Sequence, residues 1–216
     1  MLLFSNNPTA GLIIGIILAA LIGMTIHEFA HNYVAHLMGD PTPASQGRLT
    51  LNPMAHIYWP GFLMFVVIGF GILGLAPINY SRMRNPRWGY LAAVAAGPFS
   101  NLLLAIVIGL VVRVIGLQGL FDLPEILRTS LLMMVTFNIW MFIFNLLPLF
   151  PLDGWHIVLT LLPPDLADSW YRNAQTTQYV FLGIILLSFL PLPGLNIIDI
   201  LLTEPLYQIR QIIIGF

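Results

Sequence analysis

GLIIGIILAALIGMTIHEFAHNYVAHLM, Gly11 to Met38, is the stretch whose reading decides the fold. It is longer than the roughly 20 apolar residues that cross a bilayer as a helix, and Glu28 is its only carboxylate. On such a helix, residues four apart lie nearly one above the other. His27 and His31 of the HEFAH segment therefore project from one face and can reach a single metal ion. Glu28 is turned roughly 100° from them. Its carboxylate then stands beside a metal and not among its ligands, where a general base for water belongs. Two histidines and a glutamate can also simply pack between helices. An ionised residue at mid-bilayer costs about 2.5–3.5 kcal/mol on insertion scales, however, so Glu28 at that depth points to function or pairing.

The rest of the composition extends the same reading. Of 216 residues, 58% are hydrophobic and 8% charged, and the mean hydropathy is +0.89. This predicts an all-α polytopic membrane protein of about five to six transmembrane helices, folded as a single membrane-embedded domain over residues 1–216 with no length left for an appended soluble one. A net charge of −1 and the lack of a basic stripe exclude nucleic acid as a partner. With no cysteine, thiolate zinc sites and cysteine nucleophiles drop out, and any metal must be held by His and carboxylate. The N-terminus lacks the basic region and cleavage site of a signal peptide, so the first helix is expected to be retained.

Beyond Met38 the run stops at Gly39, Asp40, Pro41 and Pro43. GRLTLN, Gly47 to Asn52, alternates as a short strand would. Pro60 to Pro77 is barely long enough to span and is broken by Gly69, Gly71 and Gly74. An extended Ala76 to Tyr80 follows, then Arg82, Arg84 and Arg87, the densest positive patch, read as a solvated loop on the cytoplasmic side. Tyr90 to Leu117 and Thr129 to Leu147 are spans. Tyr179 to Leu192 is a short one ended by Pro191, Pro193 and Gly194, and Asn196 to Phe216 reads as an interfacial helix or a tilted last span.

A catalytic zinc site usually takes three protein ligands and leaves a fourth position for water. Asp153 is the best-placed third ligand. In NLLPLFPLDG (Asn145 to Gly154), Pro148 and Pro151 end the preceding helix and present Asp153 on irregular backbone at the end of an apolar span. His156 is placed to orient a ligand. His36 reads as a packing or interfacial residue. Trp59, Trp88 and Trp155, at span ends, read as an aromatic belt.

HEFAH in an early helix, GPFSN (Gly97 to Asn101) in a middle one and NLLPLFPLDG after a later one together resemble the site-2 protease family of intramembrane zinc metalloproteases, in its short-chain branch without appended regulatory domains. The resemblance implies Zn2+ held by His27, His31 and Asp153, Glu28 as catalytic base, and Asn101 and Asn145 as polar groups lining the site. GRLTLNPMAHI (Gly47 to Ile57) also resembles that branch, although relatives carry an Asp soon after the His where this chain has Tyr58 and Trp59. The implied partner is the transmembrane helix of another membrane protein, with Ala76 to Tyr80 pairing with its unwound segment.

One geometric requirement follows. For His27, His31 and Asp153 to lie at one depth, the helix bearing HEFAH and the helix leading to Asp153 must run in the same direction. Pro60 to Pro77 is then re-entrant, and the site lies towards the cytoplasmic side of a prokaryotic plasma membrane. A transporter or metal-binding scaffold using His and Asp as an ion path is the alternative, and it predicts ionisable residues spread through the membrane's depth.

Overall fold

A computed structural model of the chain describes residues 9–69, 71, 73–189 and 196–215. The first helix begins where the sequence supplies a cap. Thr9 is extended, and its hydroxyl accepts a hydrogen bond from the Leu12 N–H at 3.2 Å. From there α1 (Ala10–Leu37) runs 28 residues and ends just before Gly39, whose φ of 107° only glycine tolerates easily. The short α2 (Thr42–Ser45) and α3 (Pro53–His56) and the ten-residue α4 (Trp59–Ile68) follow, then a 3₁₀ turn at Tyr80–Arg82. The remaining helices are α5 (Pro86–Asp122), α6 (Glu125–Asn145), α7 (Asp153–Leu161), α8 (Pro164–Arg172), α9 (Ala174–Phe189) and α10 (Ile197–Ile214). Among the described residues α1, α5 and α6 are long and apolar enough to cross a membrane, and the chain is a helical membrane protein.

These three helices form the core, and small residues set how they meet. Gly11, Gly15, Ala19 and Gly23 recur every four residues along α1 and are buried or closely packed. A Cβ at Gly11 would lie 3.1 Å from the Glu125 carboxylate, and one at Gly15 would lie 3.3 Å from the Ser130 backbone. At Gly23 it would lie 2.8 Å from Asn138 Oδ1. Contacts therefore climb α1 and α6 together, so the two helices are parallel, as the depth argument requires. Each four-residue step also rotates the stripe by about 40°. By His27 and His31 it has turned from α6 to α5, where Gly97 meets both rings. In lipid, where apolar burial between helices gains little, such close approach of backbones is one source of attraction, beside hydrogen bonds between helices.

The chain between α1 and α5 departs from the sequence reading in an informative way. The expected strand at 47–52 does not form: Gly47 turns with φ 66°, and Asn52 is spent as the N-cap of α3, accepting from Met54 N–H at 3.0 Å. No strand occurs among the described residues, and the one β pairing there is an isolated antiparallel bridge, Ile57 to Gly74. Tyr58 N–H donates to Leu73 O at 2.8 Å beside it. The chain thus leaves at residue 57, runs through α4, and returns to its starting point by residue 74. Residues 75–79 have no regular structure, and Ile78 N–H bonds back to Ala76 O, which bends the segment expected to be extended. Two further bonds close the loop at its base. Arg84 N–H donates to Met38 O at 2.9 Å, and Asn79 N–H donates to Asp40 Oδ2 at 2.7 Å.

α5 starts earlier than the apolar pattern suggests because Asn85 caps it and Pro86 takes its first position. α10 packs on α5 and α6, with Ile213 and Ile214 buried in the cluster that holds Val112 and Val135. Pro191, Pro193 and Gly194, expected to end the span before it, lie outside the described residues.

Candidate metal centre

His27 and His31 are buried on α1, one turn apart, with ring centroids 4.5 Å from one another. α6 ends at Asn145, the chain passes Pro148 and Pro151, and Asp153 opens α7. The sequence reading put Asp153 on irregular backbone, whereas it is the first helical residue of α7, carried by an irregular stretch at 146–152. Gly154 makes this turn feasible, because a Cβ there would strike the Leu146 and Leu147 carbonyl oxygens. Asp153 Oδ2 lies 3.2 Å from His27 Nε2 and 3.4 Å from His31 Nε2. The two Nε2 atoms are 3.0 Å apart.

The other ring nitrogens decide what these three atoms are. His31 Nδ1 is 2.8 Å from the Ala93 carbonyl oxygen, so it must be the nitrogen that carries the proton. His27 Nδ1 is 2.6 Å from Asn101 Oδ1. The Asn101 amide cannot be reversed, since its Nδ2 donates to Gly23 O at 3.1 Å and to Asn138 Oδ1 at 2.7 Å. His27 Nδ1 is therefore protonated too. In the neutral rings both Nε2 atoms then present lone pairs to each other and to a buried carboxylate oxygen that has no donor of its own. Three convergent acceptors with no proton between them call for a cation. Zinc bonds of about 2.0–2.1 Å at tetrahedral angles place ligand atoms about 3.3 Å apart. The observed separations of 3.0, 3.2 and 3.4 Å match that spacing, and these side chains form the His27, His31, Asp153 group able to hold a metal ion.

Glu28 is buried beside this group, and its Oε2 has no hydrogen-bond partner. It lines a cavity of about 410 Å³ together with His27, His31 and Asp153. The returning loop reaches the same place: a Cβ at Gly74 would fall 2.7 Å from Glu28 Cγ and Oε1. Asn145 and His156 also line the cavity. Asn145 donates to Met141 O at 2.9 Å, and His156 Nδ1 is 3.0 Å from the Tyr90 hydroxyl. His36 is exposed on the far side of α1. His56 is buried with its Nε2 2.5 Å from Thr50 O, holding the 47–52 turn and standing outside the ligand group. Burial pushes the His56 imidazole below its ordinary value, against the hydrogen bond to Thr50. Trp155 is not an interfacial belt residue: it is buried, packed on Phe150, His156 and Trp170. Nor is Arg87 a free loop cation, because it donates to the Thr160, Leu161 and Leu162 carbonyls at the end of α7.

Two features escaped sequence reasoning. Asn138 stands among aromatic residues in the middle of α6, where a buried amide within a spanning helix is itself a signal. Gly97 stands in GPFSN, yet nothing in the motif says that a Cβ there would overlap His31 Nε2. As for an ion path, the buried polar side chains within the three spanning helices are Thr25, His27, Glu28, His31, Asn32, Asn101 and Asn138, and the ionisable ones stand together on α1.

A membrane bundle that gathers two helix-borne histidines, an aspartate and an adjoining free glutamate defines a metal-site protein of the HExxH type. Comparison with known proteins narrows this. The chain is 34% identical over 180 residues to YwhC of Bacillus subtilis, assigned by name to the zinc metalloproteases, covering 82% of this chain and 81% of that one. It is 28% identical over 195 residues to Rip2 of Mycobacterium tuberculosis, similarly named, covering 87% and 70%. With Rip2 of Mycolicibacterium smegmatis it shares 26% identity over 188 residues, covering 84% and 69%. The chain belongs to this group of zinc metalloproteases, within the site-2 protease family. No protein-family model and no solved structure matches it.

Proposed function

We propose that the chain is an intramembrane zinc metalloendopeptidase that cuts membrane-spanning segments of other proteins, with His27, His31 and Asp153 as ligands and Glu28 as general base. The observation that carries the reading is the convergence of three lone-pair atoms next to a buried carboxylate without a partner. Zinc held there supplies Lewis acidity, polarising a carbonyl and making water acidic near neutral pH. Glu28 takes a proton from the attacking water and returns it to the leaving amine. Asn101 and the Ala93 carbonyl hold the two imidazoles in the ligating tautomer throughout. Peptide bonds in a helix are shielded by their own hydrogen bonds, so the substrate unwinds before it is cut. The backbone at 74–78, on the cavity wall, is where the unwound segment is placed to lie.

The same reading extends to topology. Residues 60–77 dip into the membrane and return, which is supported by the ten-residue length of α4, the Ile57 to Gly74 bridge and the closure of Met38 on Arg84. α9 and α10 join α1, α5 and α6 as the remaining membrane helices of one metalloprotease domain. The arginines at 82, 84 and 87 favour a cytoplasmic site in a prokaryotic plasma membrane.

The test is zinc content and cleavage of single-span substrates by the detergent-purified protein, wild type beside Glu28→Gln. About one zinc per chain in both, with cutting by the wild type alone, is the expected result. Full cleavage by Glu28→Gln removes the general base from the proposal.

A further inference from the structure

Three asparagine and histidine side chains, one on each core helix, form a single buried chain. His27 Nδ1–H donates to Asn101 Oδ1 at 2.6 Å, and Asn101 Nδ2 donates to Asn138 Oδ1 at 2.7 Å. Asn138 Nδ2 donates in turn to the Met134 carbonyl of its own helix at 2.8 Å. Every donor points the same way, from α1 through α5 to α6, and both asparagines are wholly inaccessible. Hydrogen bonds aligned in this manner polarise one another. The link from α5 to α6 exists because position 23 is glycine, whose absent Cβ leaves room for Asn138 Oδ1.

Asn101 on its own would be an ambiguous partner. If its amide turned over, the NH2 would face His27 Nδ1, that nitrogen would have to accept, and the proton would move to Nε2. His27 could then no longer offer a lone pair to a metal. Gly23 O and Asn138 Oδ1 oppose that turn, because each would meet the Asn101 oxygen instead of its NH2. Asn138 is the member of the pair that a side-chain substitution can remove.

We infer that Asn138 is a positioning residue for the metal site, acting through Asn101 to hold His27 in the tautomer that presents Nε2 as a ligand, although it touches neither metal nor substrate. This rests on the ligand reading above. Zinc is titrated into the full chain in detergent against a chromophoric chelator, for wild type, Asn138→Leu and Asn138→Asp, and the thermal midpoint of each metal-free protein is measured alongside. Leucine removes the acceptor at similar volume. Aspartate keeps an acceptor towards Asn101 and, as the neutral acid, a donor towards Met134 O.

The expected result is zinc affinity weakened by about 10- to 100-fold in Asn138→Leu, the range for loss of a ligand's hydrogen-bonding partner, with Asn138→Asp close to wild type. Wild-type affinity in Asn138→Leu overturns the inference. So does equal weakening in both variants that tracks their loss of thermal midpoint, which marks a merely structural role. Should Asn138→Leu not fold, Asn138→Ala makes the same comparison without crowding. A wild-type chain that takes up no zinc defeats the ligand reading itself, a different outcome from zinc-binding variants that behave alike.

Discussion

Replacing Gly97 by alanine puts one methyl group where the structure has no space. The Cβ would overlap His31 Nε2 and sit 2.8 Å from His27 Cε1. Both rings are tethered from behind, His31 by Ala93 O at 2.8 Å and His27 by Asn101 at 2.6 Å, so neither can yield without breaking its hydrogen bond. The alternative is for α5 to withdraw from α1 by about 1 Å, the misplacement that costs roughly 100-fold in rate when it reaches catalytic groups. Overpacking of this kind destabilises by about 1–3 kcal/mol. Gly97→Ala is therefore expected to lose zinc affinity by at least about 10-fold and cleavage by about 100-fold, with a modest fall in thermal midpoint. Gly183→Ala is the control: nothing lies within 4 Å of its added Cβ, so neither readout should fall. The assay is zinc competition and substrate cleavage on both variants in one detergent. Wild-type zinc affinity and cleavage in Gly97→Ala would refute the claim that α5 fixes the separation of the two imidazoles.

Gly74→Ala presses on Glu28 and leaves the ligands alone, its Cβ falling 2.7 Å from Glu28 Oε1. It should retain zinc while cleavage falls by about 10- to 100-fold, and parallel loss of zinc would contradict this. The pH dependence of the loop base rests on Asp40. Burial works against its charge, but hydrogen bonds from the Thr42 and Asn79 N–H groups and the nearby Arg82 outweigh it and hold the carboxyl below its ordinary value. A carboxyl depressed in the folded state contributes stability above its unfolded value of about 4, and that contribution fades as pH falls towards the lower folded value. Thermal midpoints of wild type and Asp40→Asn should therefore differ at pH 7 and converge below pH about 4. A gap that stays constant across that range would show that the charge of Asp40 is immaterial.

The convergence of His27, His31 and Asp153 was legible because its signal is local. Four-residue spacing puts His27 and His31 on one face whatever surrounds them, and the prolines before Asp153 end a helix in any context. The parallel run of α1 and α6 followed from the same residues, by the requirement of common depth. What stayed hidden depends on atoms distant in sequence. Alternation at 47–52 suggested a strand, but no partner strand lies alongside among the described residues, and Asn52 caps a helix there. Arg87 looked like one of three loop cations until α7 brought three carbonyls to it. Trp155 stands at the end of an apolar run yet lies buried under Trp170, a contact made only because α8 folds back over α7.

The loop that hangs between Met38 and Arg84 divides the labour of the site. The group able to hold a metal ion belongs to α1 and α7, with both α1 imidazoles bonded to α5. Glu28 is different: Gly74, on the loop, forms one wall around its carboxylate. The histidine and aspartate group and the surroundings of Glu28 are thus built by separate parts of the chain. The wall beside Glu28 is therefore set by a segment distant in sequence from the helices that carry His27, His31 and Asp153.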